Sequence, residues 1–134
     1  MNHKHPLFFL QIIIPIVLIF IMLIFLPRFS SMQKWEGQKI YNRHCASCHG
    51  KEGNGLKNLF PAIRESSITA PQDLVCLIRN GRNSGSVVAM PPNQTINSKE
   101  MKLLLIYLYK EIFRISVPNL LSEEVEKGDA FCNP

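Results

Sequence analysis

The sequence predicts an all-α protein, with one membrane-spanning helix followed by a small helical domain. Three observations carry this. Of the twenty residues Leu7 to Leu26, eighteen are apolar, the exceptions being Gln11 and Pro15. The 107 residues from Arg28 onward hold 43 apolar ones, about 40%, a share compatible with solution. Within them, apolar positions recur at helical spacing, and no stretch alternates as a strand would. At 134 residues the chain is too short for a second full domain, a TIM barrel or a doubly wound nucleotide fold.

The domain plan is a cytoplasmic N-terminus at 1–6, a transmembrane anchor at 7–27, a folded domain at 28–114 and an acidic C-terminal tail at 115–134. Twenty residues of helix span roughly 30 Å, the thickness of a bilayer's hydrocarbon. Gln11 and Pro15 are tolerable in such a helix. The run is longer than the core of a secretory signal, and Pro27-Arg28-Phe29-Ser30-Ser31 offers no A-x-A-like cleavage site, so the segment reads as an uncleaved anchor. Lys4 precedes it and Arg28 and Lys34 follow it, which leaves the positive-inside rule nearly undecided.

After the linker Arg28 to Ser31, helical patterning runs from about Met32 to Cys48 through Trp35, Ile40 and Tyr41. A Gly-rich loop follows, Gly50-Lys51-Glu52-Gly53-Asn54-Gly55. A second helix is expected from about Pro71 to Asn80, capped by Thr69 with Gln72 and stopped by Gly81. Its apolar face is Leu74, Val75 and Ile78. Residues 82–95 read as loop. The last helix begins at Asn97, with Glu100 as reciprocal cap, and continues to about Arg114. It is apolar nearly all round and is expected to be buried on two sides. Ser122 to Asp129 is acidic and reads as a mobile tail.

The chemistry lies in Cys45-Ala46-Ser47-Cys48-His49. Two cysteines three apart on a helix project from one face and can add to the two vinyl groups on one edge of a porphyrin. The next residue, His49, then reaches the iron. C-x-x-C-H is the signature of c-type haem attachment. A redox dithiol would need a βαβ context that is missing, and a zinc site would need two more close ligands, whereas Cys76 and Cys132 are isolated. Cys76 reads as a small buried hydrophobe, Trp35 as a packing residue and His44 as a surface residue. Cys132 is free to cross-link chains. For a sixth iron ligand, Met1 and Met22 belong to the anchor region, Met32 precedes the haem helix, and Met101 lies inside the last helix, where packing is the default. Met90 sits in a loop stiffened by Pro91 and Pro92, and a loop can fold over the open haem face. Thioether ligation raises the reduction potential relative to two imidazoles.

From about Gln33 to Glu111 the chain resembles a class I monohaem cytochrome c of the bacterial membrane-anchored kind, and the haem c domains of bacterial terminal oxidases. The shared features are Gly37, Tyr41 and Cys45 at four-residue steps, His49-Gly50 followed by Gly53 and Gly55, Phe60-Pro61, Met90-Pro91-Pro92 and Tyr107. The resemblance implies a cytochrome c fold carrying one covalent haem c on Cys45 and Cys48, with His49 and Met90 as axial ligands. It implies that the Pro61 carbonyl accepts the Nδ1–H of His49, which orients the ring and strengthens its other nitrogen as a donor. It also implies that Gly37 lets the first helix cross the last closely against Tyr107. Arg82, beside the axial loop, is assigned to a haem propionate. The acidic stretch and the two further cysteines fall outside the pattern.

Between Arg28 and Arg114 there are 13 Lys/Arg and six Asp/Glu, while from Ile115 onward there is one against four. The basic domain would speed encounters with an acidic partner, an advantage that salt removes. No basic stripe with interleaved aromatics suggests nucleic acid. The expected function is a membrane-tethered one-electron carrier, not an enzyme, in a respiratory chain. It would work between partners such as a quinol-oxidising complex and a terminal oxidase, with its haem domain on the periplasmic side of a bacterial cytoplasmic membrane. Two other classes stay open. One is a fixed haem c subunit of a larger respiratory complex. The other is a five-coordinate haem protein that senses a gas or acts like a peroxidase.

Overall fold

A computed structural model describes residues 6–56, 59–82 and 89–132, with side chains described for all of these but 6–9, 25–27, 29 and 30. Most of the expected segment 1–6 and positions 83–88 of the loop before Met90 lie outside the described residues, and at the ends of the apolar run only the backbone is described. Among the described residues every regular element is helical. The elements are α1 (Pro6–His44), α2 (Ala46–His49), a single 3-10 turn at Ile63–Glu65, α3 (Pro71–Asn80), α4 (Ser98–Tyr107) continuing as a π-helical stretch over Leu108–Phe113, and α5 (Leu121–Cys132).

The chain divides into two compact units, one up to residue 32 and one from Gln33. In the first, the large apolar side chains from Leu10 to Ile24 are all about half exposed or more. Among the described residues, no helix is long and apolar enough to cross a membrane. The part of the run whose side chains are described is 10–24, which is shorter than the roughly 20 residues a bilayer requires.

The second unit is built on Ile40 and Tyr41, on Leu74, Val75 and Ile78 of α3, and on Met101 and the residues from Leu104 to Tyr109 of α4 and its extension. Helix α4 starts as its sequence demands. Asn97 Oδ1 accepts from Glu100 N at 2.9 Å, and Glu100 Oε2 accepts from Asn97 N at 3.1 Å. Its π-helical extension ends at Arg114, whose φ of 58° is left-handed, before Val117-Pro118 is reached. Helix α3 occupies the expected span, but Thr69 does not cap it. Ala70 stands at the N-cap and makes no side-chain bond, while Pro71 opens the first turn, where a missing N–H costs nothing.

Three expectations are corrected by packing. Ser122 to Asp129 is not a loose tail but most of α5, which buries Leu121, Val125, Gly128 and Cys132. Cys132 is disulfide-bonded to Cys76 on α3, with Cα atoms 5.0 Å apart, so neither is an isolated thiol. Trp35 is 56% exposed and stacks under the Lys39 ammonium, 3.2 Å from the ring centroid, instead of packing in the core.

Candidate functional site

Helix α1 ends at His44, the chain turns at Cys45, and α2 carries Cys48 and His49. The bonds Cys45 N to Tyr41 O (2.8 Å) and His49 N to Cys45 O (2.9 Å) keep the five residues on a nearly continuous helical path. Cys45 and Cys48 are free, half-buried thiols. Burial, and then the neighbouring Cys48, pushes the Cys45 thiol up to about 11.

His49 Nδ1 lies 3.1 Å from Pro61 O. A carbonyl can only accept, so Nδ1 carries the proton, and in the neutral ring the lone pair is left on Nε2. The return loop that delivers this carbonyl is built around Gly55. At φ 71°, a Cβ there would stand 2.4 Å from Phe60 O and 2.8 Å from Pro61 C, so no side chain fits. Gly55 N also donates to His49 O at 2.8 Å. On the other flank, Tyr41 Oη donates to Gly50 O at 2.7 Å. Burial, and then Cys45 and Tyr107 nearby, raises the Tyr41 pKa, which keeps that donor protonated.

Met90 is half-buried and packs against the core cluster. Its backbone pairs both ways with Arg82, with N···O distances of 3.0 and 2.9 Å, and this pairing is closed by Gly81. A Cβ at Gly81 would lie 2.3 Å from Met90 O. Arg82 is exposed, and its described bonds are those backbone ones. Asn93, three residues after Met90, meets His44 Nδ1 through its Nδ2 at 3.1 Å. Asn93 Oδ1 accepts from Thr95 N and Oγ1, which fixes the orientation of the amide. His44 is therefore half-buried and ties the attachment segment to the Met90 loop; it is not a surface residue. Gly37 and Tyr107 do form a close crossing, since a Cβ on Gly37 would lie 2.3 Å from Leu103 O and 2.7 Å from Tyr107 Cβ. Sequence reasoning passed over Arg79, Asp129 and Asn93, and it set His44 on the surface. The signal for Arg79 was available, because it is a charged residue four positions after Val75, on the apolar face of α3.

These residues fit a covalently held haem. Two thiols three residues apart are free, an imidazole is oriented by its Nδ1 contact to Pro61 O, and a thioether sits in an anchored loop. Arg64 Nε, on the segment just after Pro61, is buried and has no partner among the described residues, a donor that a carboxylate would satisfy. Among the described residues no three His, Cys, Asp or Glu side chains gather to hold a metal ion by themselves. A porphyrin iron asks the protein for only two axial donors.

A family model described as cytochrome c oxidase, cbb3-type, subunit III matches residues 33–108, more than half of the chain. The chain belongs to this family. Membership in the cbb3-type subunit III family makes it a cytochrome c-like domain and implies a haem c and haem-mediated electron transfer. No curated protein matches the chain. The matched span includes the C-x-x-C-H turn, the Pro61 loop, Met90 and the whole of α4, and it stops before α5.

Proposed function

We propose that this protein is a membrane-held haem c domain that passes single electrons toward a terminal oxidase. Cys45 and Cys48 hold one haem through thioethers, and His49 and Met90 ligate the iron. The group supplies reversible one-electron Fe(III)/Fe(II) exchange. The chain's residues set its terms. The Pro61 carbonyl holds the His49 ring and makes Nε2 a better donor, while the Met90 thioether favours the ferrous state. The observation that carries the reading is the His49 Nδ1–H bond to Pro61 O at 3.1 Å beside two free thiols. Arg82 or Arg64 neutralises a propionate. The buried, unpartnered Nε favours Arg64.

Anchoring is part of the proposal. It is supported by the run Leu7 to Leu26 and by the exposed apolar side chains from Leu10 to Ile24. The Cys76–Cys132 disulfide supports placing the domain in an oxidising compartment, outside the cytoplasm. The family's description as an oxidase subunit favours a second reading, in which the protein is a fixed part of a complex and not a free carrier. Co-purification with oxidase subunits in mild detergent distinguishes the two.

The direct test is extraction with acid acetone. The purified protein is expected to keep one haem, and the Cys45→Ala/Cys48→Ala variant to lose it. Folded protein that holds zinc and no haem would overturn the reading.

A further inference from the structure

Arg79 stands on α3 among the core residues Leu74, Val75 and Ile78, and is 7% exposed. A buried guanidinium is tolerated only when charge and hydrogen bonds compensate its lost hydration. Its Nε donates to Asp129 Oδ1 at 2.8 Å. Its Nη1 donates to Ile96 O and reaches Asn93 O at 3.5 Å. Both carbonyls belong to the segment that follows Met90. Asn93 N and Gln94 Nε2 return bonds of 2.9 Å to the backbone oxygens of Ile78 and Arg79. Asp129 comes from α5, and its second oxygen accepts from Ser98 Oγ at 2.6 Å. Helix α5 is fixed to α3 by the disulfide and by Gly128, whose Cβ position would lie 3.0 Å from Val75 Cβ.

We propose that Arg79, held by Asp129, is a positioning residue for Met90, so that α5 governs how firmly the thioether is offered to the haem iron. This rests on the reading of Met90 as axial ligand. The loop has two anchors. The Arg82 pairing and Gly81 fix it at Met90, and the Arg79 fork fixes it at Asn93 and Ile96, with Pro91 and Pro92 stiffening the chain between. The ligated fraction is the share of loop conformations that present the sulfur, so freeing one anchor lowers it. Helix α5 lies beyond the matched residues, so family membership by itself does not imply this control.

The test uses the full-length haem-loaded protein. Arg79→Lys keeps a charge facing Asp129 but gives up the planar fork that spans carboxylate and carbonyls. With far-UV circular dichroism unchanged, the red charge-transfer band of Met–Fe(III) is expected to weaken. Carbon monoxide should begin to bind the ferrous form, and the midpoint potential should fall. Asp129→Asn is expected to move all three in the same direction, and Lys127→Gln, exposed on α5, to move none. Met90→Ala marks complete loss of the band. Wild-type band, carbon monoxide response and potential in both Arg79→Lys and Asp129→Asn, with the band lost in Met90→Ala, would overturn the proposal. A band that survives Met90→Ala overturns the axial reading beneath it instead. If one variant does not accumulate, the other decides. If neither does, Ser98→Ala, which removes a single bond to Asp129, decides by the same readings.

Discussion

At Gly37 two opposing effects can be weighed. Alanine gains up to about 1 kcal/mol over glycine inside a helix. Here its Cβ would stand 2.3 Å from the Leu103 carbonyl oxygen, which is backbone and cannot swing aside. Overpacking of this kind costs about 1–3 kcal/mol, so Gly37→Ala is expected to lower the denaturation midpoint despite its better propensity. Met90 and Met101 form a second contrast. Met101 is fully buried in the core, so Met101→Leu should leave the spectrum and potential nearly unchanged. Met90→Ala should remove the red charge-transfer band, open the ferrous iron to carbon monoxide and lower the midpoint potential. The C-x-x-C-H turn and the Gly37–Tyr107 crossing were legible because their chemistry is local or patterned. The burial of Arg79 was legible from its place on the apolar face of α3, but its partners were not, because Ile96, Asn93 and Asp129 lie 14 to 50 residues away.

Helix α5 shows how composition can mislead about an element. Its four carboxylates drew the reading of a tail, yet Leu121, Val125, Gly128 and Cys132 follow helical spacing and are the residues it buries. The closure by Cys132 on Cys76, 56 residues apart, is worth at most about 4 kcal/mol in the chain-entropy account. Cys76→Ser/Cys132→Ser is expected to lose much of that in a chemical denaturation series, with the haem still attached. Acid should act on the same element. Burial works to raise the Asp129 pKa, but the hydrogen bonds from Arg79 and Ser98 and the Arg79 charge outweigh it and leave it below the usual value. The group therefore contributes stability above its unfolded pKa, and that contribution is lost as pH falls through the lower folded one. Protection of α5 amides from hydrogen exchange is expected to drop in acid, and Asp129→Asn to flatten that dependence.

For the whole molecule, the division at residue 32 separates two kinds of surface, an apolar helix and a basic folded unit. Removing residues 1–27 and supplying a cleavable export signal is expected to yield a soluble haem protein with an unchanged spectrum. The full-length protein should stay in the membrane pellet after a high-salt wash, and its release by salt alone would refute the anchor. The expectation of an anchor rests on a single run of sequence, Leu7 to Leu26. The site came from motif and resemblance together. The alliance of α3, the Met90 loop and α5 depends on tertiary contacts that no local pattern encodes.

The four cysteine sulfurs of this chain have two incompatible fates. Cys76 and Cys132 are joined to each other, whereas Cys45 and Cys48 are free and, on the function proposed above, must remain thiols until each forms its carbon–sulfur bond. Exchange between the pairs requires a thiolate as attacker, and a thiol raised to about 11 is almost wholly protonated near neutral pH. Once α2 has packed, Cys45 is a poor attacker of the Cys76–Cys132 bond. The fold thus withholds one of its two free sulfurs, that of Cys45, from exchange with the bond that ties α5 to α3.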